Sequence, residues 1–311
     1  MEKLAIIGSG TMGHSIALNA AWSGLNVSMY GLNQDDLTKG LAGIKNKLIG
    51  LNQHGLISRP DIEAIQAKIS VSQSIDDTVA GSSFVIECIP EDLALKQQLF
   101  NHLDKICAPD VILATNTSGL SLSLITAGTK NPERTVITHF WNPAHLVPLV
   151  EVLRIDKTSE DTFNRTIALL KYMHKKPIEV KKEVPGLVGN RLQFALFREA
   201  QYLLEQGIAS KEDIDAAVTY SIGRRLPVTG PLLSADMGGL DVFASISDYL
   251  FDDLSKSDRS FPMLKKLVEQ KKLGNKTAEG YYVWDEDFST RVNQAREKEL
   301  IRYLKQDRGI E

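Results

Sequence analysis

A basic excess is missing from this sequence: 36 Lys and Arg stand against 39 Asp and Glu, for a formal net charge of −3. That removes the electrostatic reason to expect nucleic acid or an anionic membrane as a partner, because both need a basic face. Any anionic ligand must therefore be held by local groups. Cysteine is scarce, and the two present, Cys88 and Cys107, give neither a disulfide framework nor metal-ligand spacing. They read as free thiols. The six histidines fall into no HxxxH set and pair with no CxxC, so no metal is expected. No apolar run approaches the ~20 residues that a membrane-spanning helix needs. MEKLAIIGSG opens as a strand and a Gly-rich turn, not as a charged leader before an apolar stretch, and a cytoplasmic protein is expected.

With 311 residues, the chain is long enough for roughly two domains and a sizeable core. Its first half alternates short β-branched runs (KLAIIG, NVSMY, KISVS, FVIECI, VILAT, TVITHF) with amphipathic stretches such as LALKQQLFNHLDKI. Such alternation implies parallel strands joined by crossover helices, hence an α/β, doubly wound sheet. The helical pair between about residues 34 and 68 is longer than a minimal crossover and is expected to project as a hairpin. After KPIEVKK the pattern changes at EVPG, residues 183–186, and only helical periodicity follows. Two domains are expected, residues 1–184 carrying the sheet and 185–311 all-helical.

The first strand runs into Gly8-Ser9-Gly10-Thr11-Met12-Gly13, a GxGxxG followed by a helical pattern. In that position Gly8 permits a tight turn, Gly10 lets backbone approach a pyrophosphate, and Gly13 allows close helix–strand packing. A dinucleotide site is therefore expected, with Thr11 and Met12 at the helix start. An acid should end the second strand to accept the ribose hydroxyls of NAD, yet NVSMY ends in Gly31. Asn33 or Asp35 is left to do that work. No arginine stands nearby for a 2′-phosphate, which keeps NAD ahead of NADP.

THFWNPAHLVPLVEV, residues 138–152, places His139 at the end of one apolar run and Glu151 inside the next. If the runs pair as an antiparallel hairpin turning near Ala144–Leu146, residues 139 and 151 face each other, and the carboxylate orients the imidazole. Otherwise they are a core histidine and an edge-strand glutamate that never meet. On these fifteen residues both readings stand.

With TNTSGLSLSLI (115–125), HFWNP (139–143), PLVEV (148–152), PGLVGNRL (185–192) and LGNKTAEGYY (273–282) taken together, the sequence resembles the 3-hydroxyacyl-CoA dehydrogenase family over nearly its whole length. The resemblance implies a Rossmann-type NAD domain, a helical C-terminal domain that makes a homodimer, and an active site in the cleft between them. It implies that His139 is the general base, that Glu151 polarises it, and that Ser118 and Asn190 hold the reacting oxygens. It further implies cofactor contacts at Glu91, Lys96, Asn142 and Lys276. Oxidising a secondary alcohol needs a neutral base near pH 7, which a histidine beside a carboxylate supplies.

Two stretches depart from the acyl-CoA members of that family. Where those enzymes carry lysines for the coenzyme A phosphates, this chain has LNQHGL (51–56), with Lys45 and Lys47 one to two turns earlier. SIGRRLPVTGP (221–231) is longer than its counterpart and is similar to relatives that oxidise free hydroxy acids such as gulonate, carnitine or a pyridine carboxylate. There Arg225 could clamp a substrate carboxylate. Three readings follow: a short-chain 3-hydroxyacyl-CoA dehydrogenase favoured by the family's usual substrate, a dehydrogenase of a small free hydroxy acid, and a non-catalytic dinucleotide-binding protein.

Overall fold

A computed structural model describes residues 2–310. The order of elements begins β1 (Leu4–Ile7), α1 (Thr11–Trp22), β2 (Val27–Tyr30), α2 (Gln34–Gln53), α3 (Arg59–Gln66), β3 (Ile69–Ser72), α4 (Ile75–Val79), β4 (Phe84–Glu87) and α5 (Leu93–Ile106). It continues β5 (Ile112–Thr115), α6 (Leu122–Ile125), β6 (Thr135–Phe140), β7 (Leu149–Leu153), α7 (Glu160–Tyr172) and β8 (Lys176–Val180). The helical remainder is α8 (Gly189–Glu205), α9 (Lys211–Ala217), α10 (Gly223–Arg225), α11 (Pro231–Gly238), α12 (Leu240–Asp253), α13 (Pro262–Glu269) and α14 (Glu286–Arg308).

Among the described residues, eight strands form one sheet in the order β3-β2-β1-β4-β5-β6-β7-β8. All neighbours are parallel except β6 and β7, which run antiparallel. The chain is thus α/β, with a doubly wound sheet followed by helices. Period-two alternation divides the central strands between two apolar layers. On β1, Leu4 and Ile6 join the layer with α1, α2 and α7, while Ala5 and Ile7 join the layer with α5. Helices on both faces explain why β1, β4 and β5 read as continuous apolar runs and not as alternating ones.

By compactness the chain divides into two units, residues 1–189 with 296–311, and residues 190–295. In the first, the α2–α3 pair does not project. Ile44, Leu48, Leu51 and Ile65 share the core layer of α1 with Ile301 and Leu304, from the end of α14. The amphipathic stripe of α2, which the sequence made visible, finds cover from a segment some 250 residues away that it did not. In the second unit the chain is helical apart from isolated bridges at Gly274, Glu279 and Val283. SIGRRLPVTGP also gains structure there, because a π-helical turn at Val218–Ile222 carries α9 onward into α10.

Candidate active site

The strand order reverses between β1 and β4, and ligands of such sheets bind beyond the carboxyl ends of the strands at that point. The loop after β1 is built for it. Gly8 has φ +118°, and a Cβ there would sit 2.8 Å from the Cys88 carbonyl oxygen. At Gly13 a Cβ would fall 1.8 Å from the Gly8 oxygen, so only glycine lets α1 lie this close to its own loop. Gly10 differs: its added Cβ would meet no protein atom within 4 Å, leaving that backbone open to a ligand. No side chain caps the N-terminus of α1 and no acid occupies its first turn. Its N–H groups and positive dipole end are free for an anion. A cleft of about 1040 Å³ opens here, lined by Gly8, Ser9, Gly10, Thr11 and Met12, by Tyr30 and Leu32, and by Cys88 and Pro90 after β4. These residues fit a dinucleotide.

At the ribose end, the structure redistributes the expected roles. A Cβ on Gly31 would lie 2.5 Å from Leu37 Cδ2, so Leu37 fills the place where an acid would need to stand. Asn33 accepts the Asp36 N–H at 2.9 Å and serves as the cap of α2. Asp35 is exposed, while Asp36 and Lys39, neither of them singled out from the sequence, line the cleft.

At the other end of the sheet, β6 and β7 pair in the register His139 opposite Glu151. The hairpin brings His139 Nδ1 to 2.8 Å from Glu151 Oε2, with both residues buried. A carboxylate only accepts, so Nδ1–H is the donor to Glu151, and Nε2 is the ring nitrogen left to act as a base. Glu151 also accepts the backbone N–H groups of Val188 and Gly189 on Oε1, at 2.8 and 2.9 Å, and the indole N–H of Trp141 on Oε2, at 3.1 Å. Burial works to raise the Glu151 carboxyl, but the hydrogen bonds from His139, Gly189, Val188 and Trp141 outweigh it and hold the group below the ordinary carboxylate range.

Ser118 lies on the loop after β5, exposed. Asn116 Oδ1 ties that loop to the histidine strand by accepting the Phe140 N–H at 2.9 Å. Glu91 holds the loop from the other side, accepting the Thr117 hydroxyl at 2.5 Å and the N–H groups of Ser118 and Gly119 at 3.0 and 3.2 Å. Lys96 is almost wholly buried, with its ammonium 2.6 Å from Glu87 and 3.3 Å from Glu91. The sequence reading missed Glu87, which looked like one more residue of a β4 apolar run. Burial pushes its carboxyl up, against the pull of Lys96 and Thr115. Asn142 is exposed in the turn between β6 and β7. The other expected residues belong to the second unit: half-buried Asn190 in the first turn of α8, exposed Arg225 at the end of α10, and exposed Lys276 in a 3₁₀ turn at Asn275–Thr277. Among the described residues no group of His, Cys, Asp and Glu could hold a metal, and no helix is long and apolar enough to cross a membrane.

A dinucleotide cleft in a doubly wound sheet, with a carboxylate-oriented histidine farther along that sheet, defines a nicotinamide-dependent oxidoreductase. Residues 3–184 match the NAD-binding domain of 3-hydroxyacyl-CoA dehydrogenase, and residues 186–284 match the C-terminal domain of the same enzymes. The chain belongs to the 3-hydroxyacyl-CoA dehydrogenase family, NAD-dependent oxidoreductases acting on a CH–OH group. It is 33% identical to 5-formyl-3-hydroxy-2-methylpyridine 4-carboxylate 5-dehydrogenase of Mesorhizobium japonicum, over 97% of this chain and 96% of that one. It is 37% identical to a probable 3-hydroxybutyryl-CoA dehydrogenase of Bacillus subtilis, over 93% and 99%. Among solved structures, a 5-formyl-3-hydroxy-2-methylpyridine 4-carboxylic acid 5-dehydrogenase, an NAD⁺-dependent dismutase, superposes with a TM-score of 0.91 at 32% identity, covering 100% of both chains. The (S)-3-hydroxybutyryl-CoA dehydrogenase of Ralstonia eutropha superposes with a TM-score of 0.76 at 34% identity, covering 92% and 100%.

Proposed function

We propose that this enzyme oxidises the hydroxyl of a small free hydroxy acid, with acyl-CoA esters as the second reading. The observation that carries the choice is the full-length superposition, with a TM-score of 0.91, on a dehydrogenase of a free pyridine carboxylate, against 0.76 for the Ralstonia acyl-CoA enzyme. Lys47 adds support. Its ammonium lies 2.7 Å from His14 Nε2, whose Nδ1 faces the Ser9 carbonyl at 3.3 Å. Burial lowers the Lys47 ammonium from its ordinary value. A lysine held against the phosphate loop in this way is a poor handle for a distant coenzyme A phosphate. The acyl-CoA reading keeps its own support in the 37% identity to the Bacillus enzyme, and it would place the protein in fatty acid metabolism.

In either reading His139 takes the hydroxyl proton on Nε2, and Glu151 holds Nδ1–H and offsets the imidazolium charge as it forms. A bound NAD would supply the acceptor for the hydride that leaves the same carbon. Gly8, Gly10, Thr11, Met12 and Gly13 seat its pyrophosphate, and Asp36 takes the ribose role that Asn33 gives up to capping. Ser118 and Asn190 hold the reacting oxygens, Glu91 fixes the Ser118 loop, and Asn142 and Lys276 contact the cofactor. Lys96 acts through Glu91. Arg225 pairs with the substrate carboxylate. The working form is a homodimer joined through residues after about 186, and Cys88 and Cys107, both free thiols, suit a cytoplasmic setting.

The test is NADH formation on a panel of free hydroxy acids and 3-hydroxyacyl-CoA esters, with Arg225→Ala alongside. Free acids should be the better substrates, and the variant should lose roughly 30-fold or more in kcat/KM on them, the usual cost of leaving a buried anion unpaired. Turnover confined to acyl-CoA esters and indifferent to Arg225 would hand the function to the second reading.

A further inference from the structure

We infer that Trp141 is a positioning residue for the His139–Glu151 pair, its indole N–H fixing the carboxylate and so the pH range over which the imidazole can take a proton. This rests on the assignment of His139 as the base. A carboxylate offers about four lone-pair sites, and here all four donors are in place: Val188 and Gly189 on Oε1, His139 and Trp141 on Oε2. Three of those contacts come from backbone or from the base itself. Trp141 supplies the fourth, from the residue that follows the end of β6, the strand that carries the base. The rings of His139 and Trp141 do not stack, with centroids 5.7 Å apart and planes tilted by 59°. Trp141 therefore meets the base through Glu151, sharing Oε2 with it.

The seat of the indole is specific as well. A Cβ on Gly189 would lie 2.3 Å from Trp141 Cζ2, so glycine at the start of α8 leaves the space that the ring fills. The same residue thereby donates its N–H to Oε1 and makes room for the donor to Oε2. Among the described residues, Glu151 on β7 is the charged group recorded against the His139 ring. An N–H dipole on Oε2 disperses negative charge that would otherwise stabilise imidazolium. Removing it should make the histidine hold its proton more firmly and let the carboxylate librate.

The experiment is the pH dependence of oxidation by Trp141→Phe, which keeps an aromatic ring over Gly189 and lacks the N–H. The acidic limb of kcat/KM is expected to move up by about half a pH unit. Plateau kcat is expected to fall by roughly three- to tenfold as the pair loosens, with KM and NADH affinity nearly unchanged. A profile that overlays that of the unaltered enzyme would reduce Trp141 to a space filler and overturn the inference. His139→Gln is measured in parallel. If it abolishes turnover while Trp141→Phe shifts nothing, only the role of Trp141 falls; if it retains full turnover, the base assignment falls and takes Trp141 with it. Should Trp141→Phe fail to fold, benzothienylalanine at position 141 keeps the bicyclic shape with sulfur in place of N–H. The same upward shift is required of it.

Discussion

The sheet-bearing unit and the helical unit meet water in opposite ways. In the first, β1, β4 and β5 are buried along their whole length, and even charged groups such as Lys96, Glu87 and Glu151 are enclosed and paired. In the second, Ile214 is the one apolar side chain buried among the described residues 190–295. Val228 and Leu232 are 83% exposed, and Met237 is 75% exposed. Both units carry clean amphipathic patterns, but only the first contains the second layer that a patterned element needs for burial. An uncovered apolar surface of that extent is what subunit association removes. The first unit is thus complete as a scaffold within one chain, and the second is the half that another copy would cover in the proposed homodimer.

The sharpest test of that division lies inside the first unit. His139→Ala should lower turnover by roughly 10²- to 10⁴-fold, the span of a lost general base. NADH binding and oligomeric state should be unchanged, because the cofactor loop and the helical unit are untouched. Steady-state kinetics with NADH fluorescence titration checks this, and normal turnover would remove His139 from the chemistry.

Next in size is a contrast between two glycines of one loop. Gly10→Val should weaken NADH binding by about a hundredfold or more, by filling the space meant for the pyrophosphate, without lowering Tm. Gly13→Ala should instead lower Tm by several degrees, since its Cβ collides with the Gly8 carbonyl. If both variants unfold alike, Gly10 is structural and the cradle reading is wrong.

The reciprocal experiment belongs to the helical unit. Replacing Leu232 and Phe251 with Glu should shift the dimer toward monomer by about tenfold or more in dissociation constant, as desolvating two carboxylates opposes association. NADH affinity should stay within about twofold, because neither residue is among those assigned to the cofactor. Sedimentation of a monomer at all concentrations in the unaltered protein would break the comparison at its root.

The last test concerns Lys175, buried with its ammonium on the carbonyls of Ala144 and Val147 in the turn between β6 and β7. Burial, with help from Arg308, lowers its pKa to about 7. In the unfolded chain the group titrates near ~10.4, so between those values the unfolded state binds more protons and stability rises with pH. Below pH 7 both states are protonated, and the full cost of burying the charge is present. Lys175→Met should therefore flatten the stability profile between pH 7 and about 10. Denaturant melts at pH 6.5 and 9.5 would read a slope difference, and parallel profiles would mean the ammonium reaches solvent.

Much of the site was legible because its signals are local. The glycine loop needs only three glycines between a strand and a helix, so Gly8, Gly10 and Gly13 could be written down from neighbouring residues, whereas the facing of His139 and Glu151 was one of two open readings until β6 and β7 paired. The strands and most helices followed from their periods, and the family from the order of its motifs. Tertiary structure alone decided which polar groups turn inward. Trp141 carries its donor inside a residue that patterns as apolar, and Glu87 hides in an apolar run because its partner Lys96 comes from the next helix. Asn33 was drawn off to cap α2, leaving Asp36 on the cleft. Periodicity records that a face is buried, whereas the partner that satisfies a buried charge is chosen by where distant segments meet, as the end of α14 meets α2. A pattern along the chain carries no distance across it.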